Sequence, residues 1–126
     1  MPIKYDYDKE KNIVYGYPYG LVSMSDITQY FNKLVEDPNV ESDFIEIANL
    51  REVAEFKISY KEALQLPNLF AEVNNKKNHK GTILIGEKDF QFGMARMMSI
   101  ISENDLTIRV VRSQEDAEKV VNELRN

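Results

Sequence analysis

The chain has 126 residues, of which 43% are hydrophobic and 29% charged, with a formal net charge of −5 and no cysteine. These values predict one soluble globular domain over residues 1–126 and exclude disulfides and thiol catalysis. The negative charge disfavours nucleic acid and anionic membranes as partners. Because the chain has neither an apolar run of the ~20 residues that span a membrane nor a signal-peptide core at its start, we expect a cytoplasmic protein.

The first half of the chain predicts a hairpin, a helix and a third strand. Alternating apolar and polar residues indicate the hairpin, and an apolar stripe at helical spacing follows it. A buried strand comes next, and a connector of uncertain shape leads out of it. In chain order these elements span residues 3–7, 13–19, 23–35, 44–48 and 49–58, and either Ser23 or Ser25 can cap the helix.

The second half alternates helices and strands. Ser59 and Glu62 have the spacing of a capping box, and Pro67 predicts a kink or a restart within the helix that follows. The apolar run at 82–85 is typical of a strand covered on both faces. A third helix, a strand at 106–111 and a last helix capped by Ser113 complete the chain.

The element order is therefore β-β-α-β-α-β-α-β-α. Strands that alternate with helices form parallel sheets with right-handed crossovers, and the opening hairpin adds an antiparallel edge. The sequence predicts an α/β fold with a mixed, mostly parallel five-stranded sheet and four helices.

The element order, together with the segment Phe-Gly-Met-Ala-Arg-Met at 92–97, resembles the SpoIIAA-like (STAS/SEC14-type) family of small bacterial proteins. The segments at 49–51 (Asn-Leu-Arg) and 115–117 (Glu-Asp-Ala) fit the same pattern. The resemblance implies helices packed on a mixed sheet, and no settled activity. Together with the lack of a catalytic constellation, it favours a non-enzymatic interaction or regulatory module. It also implies a candidate phospho-acceptor, Ser59, although the Asp-Ser pair of anti-sigma-factor antagonists is missing from the connector. SEC14-type relatives bind lipid, so the alternative is a carrier of a small apolar ligand.

Residues that could support catalysis or hold a metal are few. The single histidine, His79, lies in a lysine-rich segment, and we expect it to be a solvated loop residue. No metal site, cofactor site or nucleophile motif is indicated. An enzyme that uses carboxylates alone, with Glu46, Glu52 or Glu55, is the least favoured hypothesis.

The third helix provides the favoured interaction surface. We expect Phe90, Met94, Met97, Met98 and Ile101 to face the core, which places Arg96 on the opposite side beside Phe92. An exposed arginine next to an aromatic residue is common at protein interfaces. We therefore predict that Phe92 and Arg96 contact a protein partner.

Two further segments are candidates for association. Arg51, in the connector, is a second interaction candidate. Tyr15, Tyr17 and Tyr19 share one strand face, which we expect to pack against a helix. A homodimer through the third helix, the connector or this tyrosine-bearing edge is an open alternative to a separate partner.

Overall fold

The computed structural model describes residues 3–102 and 108–126. Within them, the strands are β1 (Ile3–Asp8), β2 (Ile13–Ser23), β3 (Phe44–Asn49), β4 (Glu52–Lys57), β5 (His79–Ile85) and β6 (Ile108–Val111). The helices are α1 (Met24–Glu36), α2 (Tyr60–Ala63), α3 (Leu66–Lys76), α4 (Asp89–Ser102) and α5 (Gln114–Arg125). The predicted α/β fold is confirmed, with the short α2 in addition to four longer helices.

The sheet is mixed and mostly parallel, as predicted, but it has a sixth strand. Its order is β1-β2-β3-β5-β6, and β4 pairs with β2 outside that path. Only the pairing of β1 with β2 is antiparallel among the described strands. The long β2 changes partner along its length, since residues 13–16 pair with β3 and residues 19–23 pair with β4.

The strand β4 lies within residues 49–58, for which the sequence predicts a connector of uncertain shape. Its register against β2 shifts by one residue, because Gly20 pairs with Val53 and Leu21 pairs with Glu55. As a result, Val53 and Phe56 both join the core although they are three residues apart. A regular strand places every second residue on one face, so this β-bulge removed the period-two signal.

Two hydrophobic cores lie on opposite faces of the sheet. The larger core joins the sheet to α1, α3 and α4, and the smaller core joins it to α5. Alternate residues of β3 divide between them, with Phe44 and Ala48 in the larger core and Ile45 and Ile47 in the smaller one. The central strands are thus covered on both faces, which explains their nearly continuous apolar sequence.

The tyrosine face of β2 is only partly covered. Tyr15 packs against the α5 core, whereas Tyr17, Tyr19 and Leu21 are exposed. The expectation that a helix covers all three tyrosines is therefore wrong for Tyr17 and Tyr19. The α5 core reaches β2 only at Ile13 and Tyr15.

Side-chain caps define the helix starts that the sequence predicted. Ser23 caps α1 and Ser59 caps α2, each through a capping box with an acidic residue three positions later. Ser113 caps α5. Pro67 lies in the first turn of α3, where its missing N–H costs no helical hydrogen bond. The restart predicted at this proline is confirmed.

Candidate functional site

A chain of buried polar side chains crosses the interface between α1 and the sheet. The Tyr30 hydroxyl donates a hydrogen bond to one carboxyl oxygen of Glu46, and the Thr82 hydroxyl donates to the other over 2.8 Å. His79 Nε2 lies 3.1 Å from the Thr82 hydroxyl and 2.9 Å from the carbonyl oxygen of Gly81. Since the Gly81 carbonyl can only accept, Nε2 carries the proton and Nδ1 is left without a partner among the described residues.

Burial sets the protonation of this polar chain. Glu46 is only 2% exposed, and this desolvation raises its pKa against the lowering effect of the Tyr30 and Thr82 hydrogen bonds. Desolvation and the neighbouring Glu46 raise the pKa of Tyr30 well above its ordinary value. Burial also lowers the pKa of His79 to about 4, so the imidazole is neutral at pH 7.

His79 is a buried strand residue, so the expectation of a solvated loop residue is wrong. His79 begins β5, is 6% exposed and stacks on Phe44 with ring centroids 4.5 Å apart and ring planes 8° apart. The lysines around His79 are typical of a solvated loop, so the sequence shows no apolar pattern at the start of β5.

A small cavity lies beside the carboxyl group of Glu46. It measures about 60 Å³, and its polar lining consists of Tyr30, Glu46 and Thr82, with apolar side chains around the rest. These polar groups already bond to one another. A cavity that holds benzene measures about 150 Å³, so this one has room for a few waters or a very small ligand.

The three carboxylates of the enzyme hypothesis do not meet at one site. Glu46 lies in the core, whereas Glu52 and Glu55 are exposed on β4. Both oxygens of Glu46 are engaged by hydroxyl groups, and its cavity is too small for a substrate of ordinary size. Within the described residues, no cluster of three potential metal ligands occurs.

Large apolar side chains are exposed on α4. Phe90, Met97 and Ile100 are 47%, 57% and 63% exposed, and together with the exposed Gly93 they form one stripe. Beside this stripe, α4 and the β4–α2 region form a groove of about 80 Å³, lined by Phe56, Ile58, Ala63, Leu66, Met94, Met97 and Met98. Tyr60 on α2 and Leu64, directly after α2, are also exposed. We call the stripe, the groove and these two residues the α2–α4 surface.

The inward face of α4 differs from the one predicted. Gln91 and Ala95 are buried, and Met94 and Met98 are half-buried, whereas Phe90 and Met97 point outward. The expectation for Phe90 and Met97 was therefore wrong, and the side chain of Ile101 lies outside the described residues.

Gln91 explains this rotation of the helix. Its side-chain amide donates to the backbone carbonyls of Arg51 and Val53, over 3.3 and 3.2 Å, and so ties α4 to β4. Ala95 lies on the same face and is fully buried in the larger core. The predicted inward face was chosen from the large apolar residues of α4, so it included neither Gln91 nor Ala95.

The two predicted contact residues of α4 have different surroundings. Phe92 is half-buried, with the Arg112 guanidinium 4.0 Å from its ring centroid. Arg112 is fixed in turn by an ion pair with Asp89. Arg96 is exposed, and its guanidinium takes part in none of the ion pairs or hydrogen bonds of the described residues. The partner of Phe92 is therefore Arg112 rather than Arg96, and a role for Phe92 in association stays a prediction.

Arg51 lies at the corner between β3 and β4, and it does not line the cavity beside Glu46. The corner borders an open groove of about 490 Å³, lined mainly by Lys4, Tyr17, Tyr19, Asn49, Arg51 and Glu52. We call it the Arg51 groove. The structure does not bring Arg51 together with Phe92 and Arg96 in one pocket.

Ser59 is exposed at the start of α2. Its hydroxyl accepts a hydrogen bond from the backbone of Glu62 over 3.1 Å, and the Glu62 carboxylate accepts one from the backbone of Ser59. A phosphate on Ser59 would lie beside the Glu62 carboxylate and meet charge repulsion. Phosphorylation of Ser59 stays a prediction.

Comparison with solved structures identifies the fold. The anti-sigma factor antagonist SpoIIAA in its unphosphorylated form aligns with a TM-score of 0.54 over 98% of each chain, at 11% identity. An uncharacterised protein of the DUF3478 family from Shewanella loihica PV-4, which has a SpoIIAA-like fold, aligns with a TM-score of 0.58 at 14% identity, over 94% of this chain and 91% of that one.

The chain has the SpoIIAA-like fold. The resemblance inferred from the sequence is thereby confirmed at the level of fold. No family model matches the sequence, and no curated protein does. Among the described residues, no helix is long and apolar enough to cross a membrane.

Proposed function

We propose that this SpoIIAA-like protein is a non-enzymatic regulatory module whose α2–α4 surface binds an amphipathic helix of a partner protein. The observation that carries the proposal is the exposure of Phe90, Met97 and Ile100 on one side of α4. Clustered apolar side chains on a protein surface mark sites of interaction. The solved anti-sigma factor antagonist with this fold supports a regulatory role by analogy.

The spacing along α4 favours a helix as the occupant. Phe90, Gly93, Met97 and Ile100 follow one another at intervals of three, four and three residues. This is the spacing of the apolar seam between paired helices. An added Cβ at Gly93 would meet no atom within 4 Å beyond its chain neighbours and the backbone of its own helix, so a partner helix has open space for close approach there. The methionines beside the stripe can adapt to the shape of the partner's side chains.

Charge favours a partner with an acidic flank over a second copy of this chain. Arg96 precedes Ile100 by four residues and therefore borders the stripe. In an antiparallel pair of two α4 helices centred on the stripe, the two Arg96 side chains would lie near each other and repel. The net charge of −5 opposes self-association further.

The carrier hypothesis has less support. The cavity beside Glu46 measures about 60 Å³, less than half of a cavity that holds benzene. A lipid would need the helices to separate from the sheet. We therefore keep the small apolar ligand only as the alternative to a protein partner.

Site-specific photo-crosslinking in cells of the source organism tests the proposal. A benzophenone amino acid would replace Met97 in one variant and the exposed α5 residue Glu118 in a matched control. We expect Met97 to crosslink one protein through a segment with an apolar stripe and an acidic flank, and Glu118 not to. Crosslinks to a second copy of this chain, identical products from both positions, or no crosslink at Met97 would each contradict the proposal.

A further inference from the structure

The Arg51 groove opens where β2 changes its partner strand. Gly16 is the last β2 residue paired with β3, and Tyr19 is the first paired with β4. Between them, Tyr17 and Pro18 have no partner on that side, and the chain turns at Leu50 and Arg51 between β3 and β4. The resulting groove of about 490 Å³ has the size of a typical small-molecule site.

The groove combines cations with aromatic rings. Lys4 pairs with Tyr17 across the β1–β2 ladder, and its ammonium lies 5.8 Å from the centroid of the Tyr19 ring. The guanidinium of Arg51 takes part in no ion pair or hydrogen bond of the described residues, although it lines the same groove. Arginine binds a carboxylate through two parallel hydrogen bonds, and exposed tyrosine rings bind other planar groups.

Acidic neighbours limit the charge of the ligand. Glu52 lines the groove, and Asp6 is close enough to Tyr17 to raise the pKa of its phenol, after the larger effect of burial. Two cations therefore face two nearby carboxylates. A ligand with several negative charges, such as a polyphosphate, would meet repulsion from these carboxylates, so a monoanion fits the charge of the groove better.

The backbone that carries Arg51 is fixed before any ligand binds. The N–H of Arg51 donates to the side chain of Asn49 over 3.0 Å, and its carbonyl accepts from the buried Gln91. Leu50 is 2% exposed and its N–H donates to the Ile85 carbonyl. A fixed backbone lowers the entropy cost of binding, because only the Arg51 side chain must be ordered.

We propose that the Arg51 groove binds a small aromatic monocarboxylate, with the carboxylate on Arg51 and the ring against Tyr17 and Tyr19. This site is separate from the α2–α4 surface. Its ligand would be a free metabolite rather than a protein segment, so the two proposals can fail independently.

Titration with 2-naphthoate, followed by backbone amide NMR shifts, tests this inference. We expect saturable shifts at residues 17–19 and 49–52, and a roughly tenfold weaker affinity for Arg51→Gln. Arg96→Gln removes an exposed arginine elsewhere and serves as the matched control, with unchanged affinity expected. Because the Arg51 side chain is exposed, its replacement should leave the unfolding midpoint unchanged.

Two further probes separate the parts of the proposed ligand. We expect cyclohexanecarboxylate, which keeps the charge without the aromatic ring, and 2-naphthalenemethanol, which keeps the ring without the charge, to bind at least several-fold more weakly. Equal affinity for either probe, shifts outside the groove only, or an affinity that Arg51→Gln does not change would overturn the proposal.

Discussion

At the scale of single residues, the burial of His79 makes stability depend on pH. The folded protein holds the pKa of His79 at about 4, whereas an exposed histidine titrates near 6.5. Between these values the unfolded chain binds more protons. The stability that comes from the neutral imidazole is therefore present above pH 6.5 and lost as the pH falls through 4.

This dependence can be measured by urea unfolding followed by circular dichroism. From pH 7 to pH 5, we expect wild type to lose about 2 kcal/mol more unfolding free energy than His79→Gln, which cannot titrate. Equal losses in the two proteins would show that His79 is accessible to protons in the folded state.

The pKa shift of Glu46 changes stability with pH in the opposite direction to that of His79. Its pKa is raised above the ordinary 4.5, so the folded protein binds more protons than the unfolded chain above that pH. Its contribution to stability is fully present below pH 4.5 and is lost as the pH rises through the folded pKa. We predict that Glu46→Gln becomes more stable relative to wild type as the pH is raised from 4 to 7, in the same unfolding assay. A constant difference would refute a raised pKa.

Gly16 makes room for the hydrogen bond between Tyr30 and Glu46. A Cβ at Gly16 would lie 2.6 Å from the Tyr30 hydroxyl oxygen and 3.3 Å from the ring carbon that carries it. We expect Gly16→Ala to destabilise wild type by about 1–3 kcal/mol and to cost clearly less in a Tyr30→Phe background, where the clashing oxygen is absent. Equal costs in a double-mutant cycle would mean that the clash does not decide the choice of glycine.

At the scale of elements, the sequence predicted types and order better than faces. The apolar runs and the serine caps located the central strands and the helix starts, because these depend on local pattern. The orientation of α4 depends on Gln91, which bonds to carbonyls of residues about forty positions earlier. A contact between residues so far apart in the chain cannot be predicted from the local spacing of apolar residues.

The missed strand and the misplaced histidine have similar causes. The β-bulge at Gly20 and Leu21 sets Val53 and Phe56 three residues apart, so β4 lacks the alternation of a strand. His79 looked solvated because its neighbours are lysines, and its burial comes from Phe44 on another strand. The buried pairing of Glu46 with Thr82 was likewise hidden, since each is a polar residue beside apolar residues of its own strand.

The helix α4 carries a prediction of its own. Gly93 lies inside the helix, is exposed and has open space around its Cα. Alanine stabilises an exposed helix interior by about 1 kcal/mol relative to glycine. We expect Gly93→Ala to raise the unfolding free energy by that amount. If thermal and urea unfolding show no gain, residue 93 is not in a regular helix in solution.

At the scale of the whole molecule, the sides of the sheet differ in what covers them. The larger core is closed by α1, α3 and α4, and the outer side of α4 presents the stripe of Phe90, Met97 and Ile100. On the opposite face, α5 leaves Tyr17, Tyr19 and Leu21 exposed. The molecule thus has one surface suited to a helix and a separate groove suited to a small anion.

We expect the stripe on α4 to bind a partner helix, and the affinity of that helix measures this binding. The partner segment identified by crosslinking would be synthesised and titrated by calorimetry against wild type, Met97→Ser/Ile100→Ser and the control Glu118→Ser. We expect the double substitution to weaken binding by at least tenfold with unchanged folding, and Glu118→Ser to bind like wild type. Equal affinity of all three proteins would contradict the account.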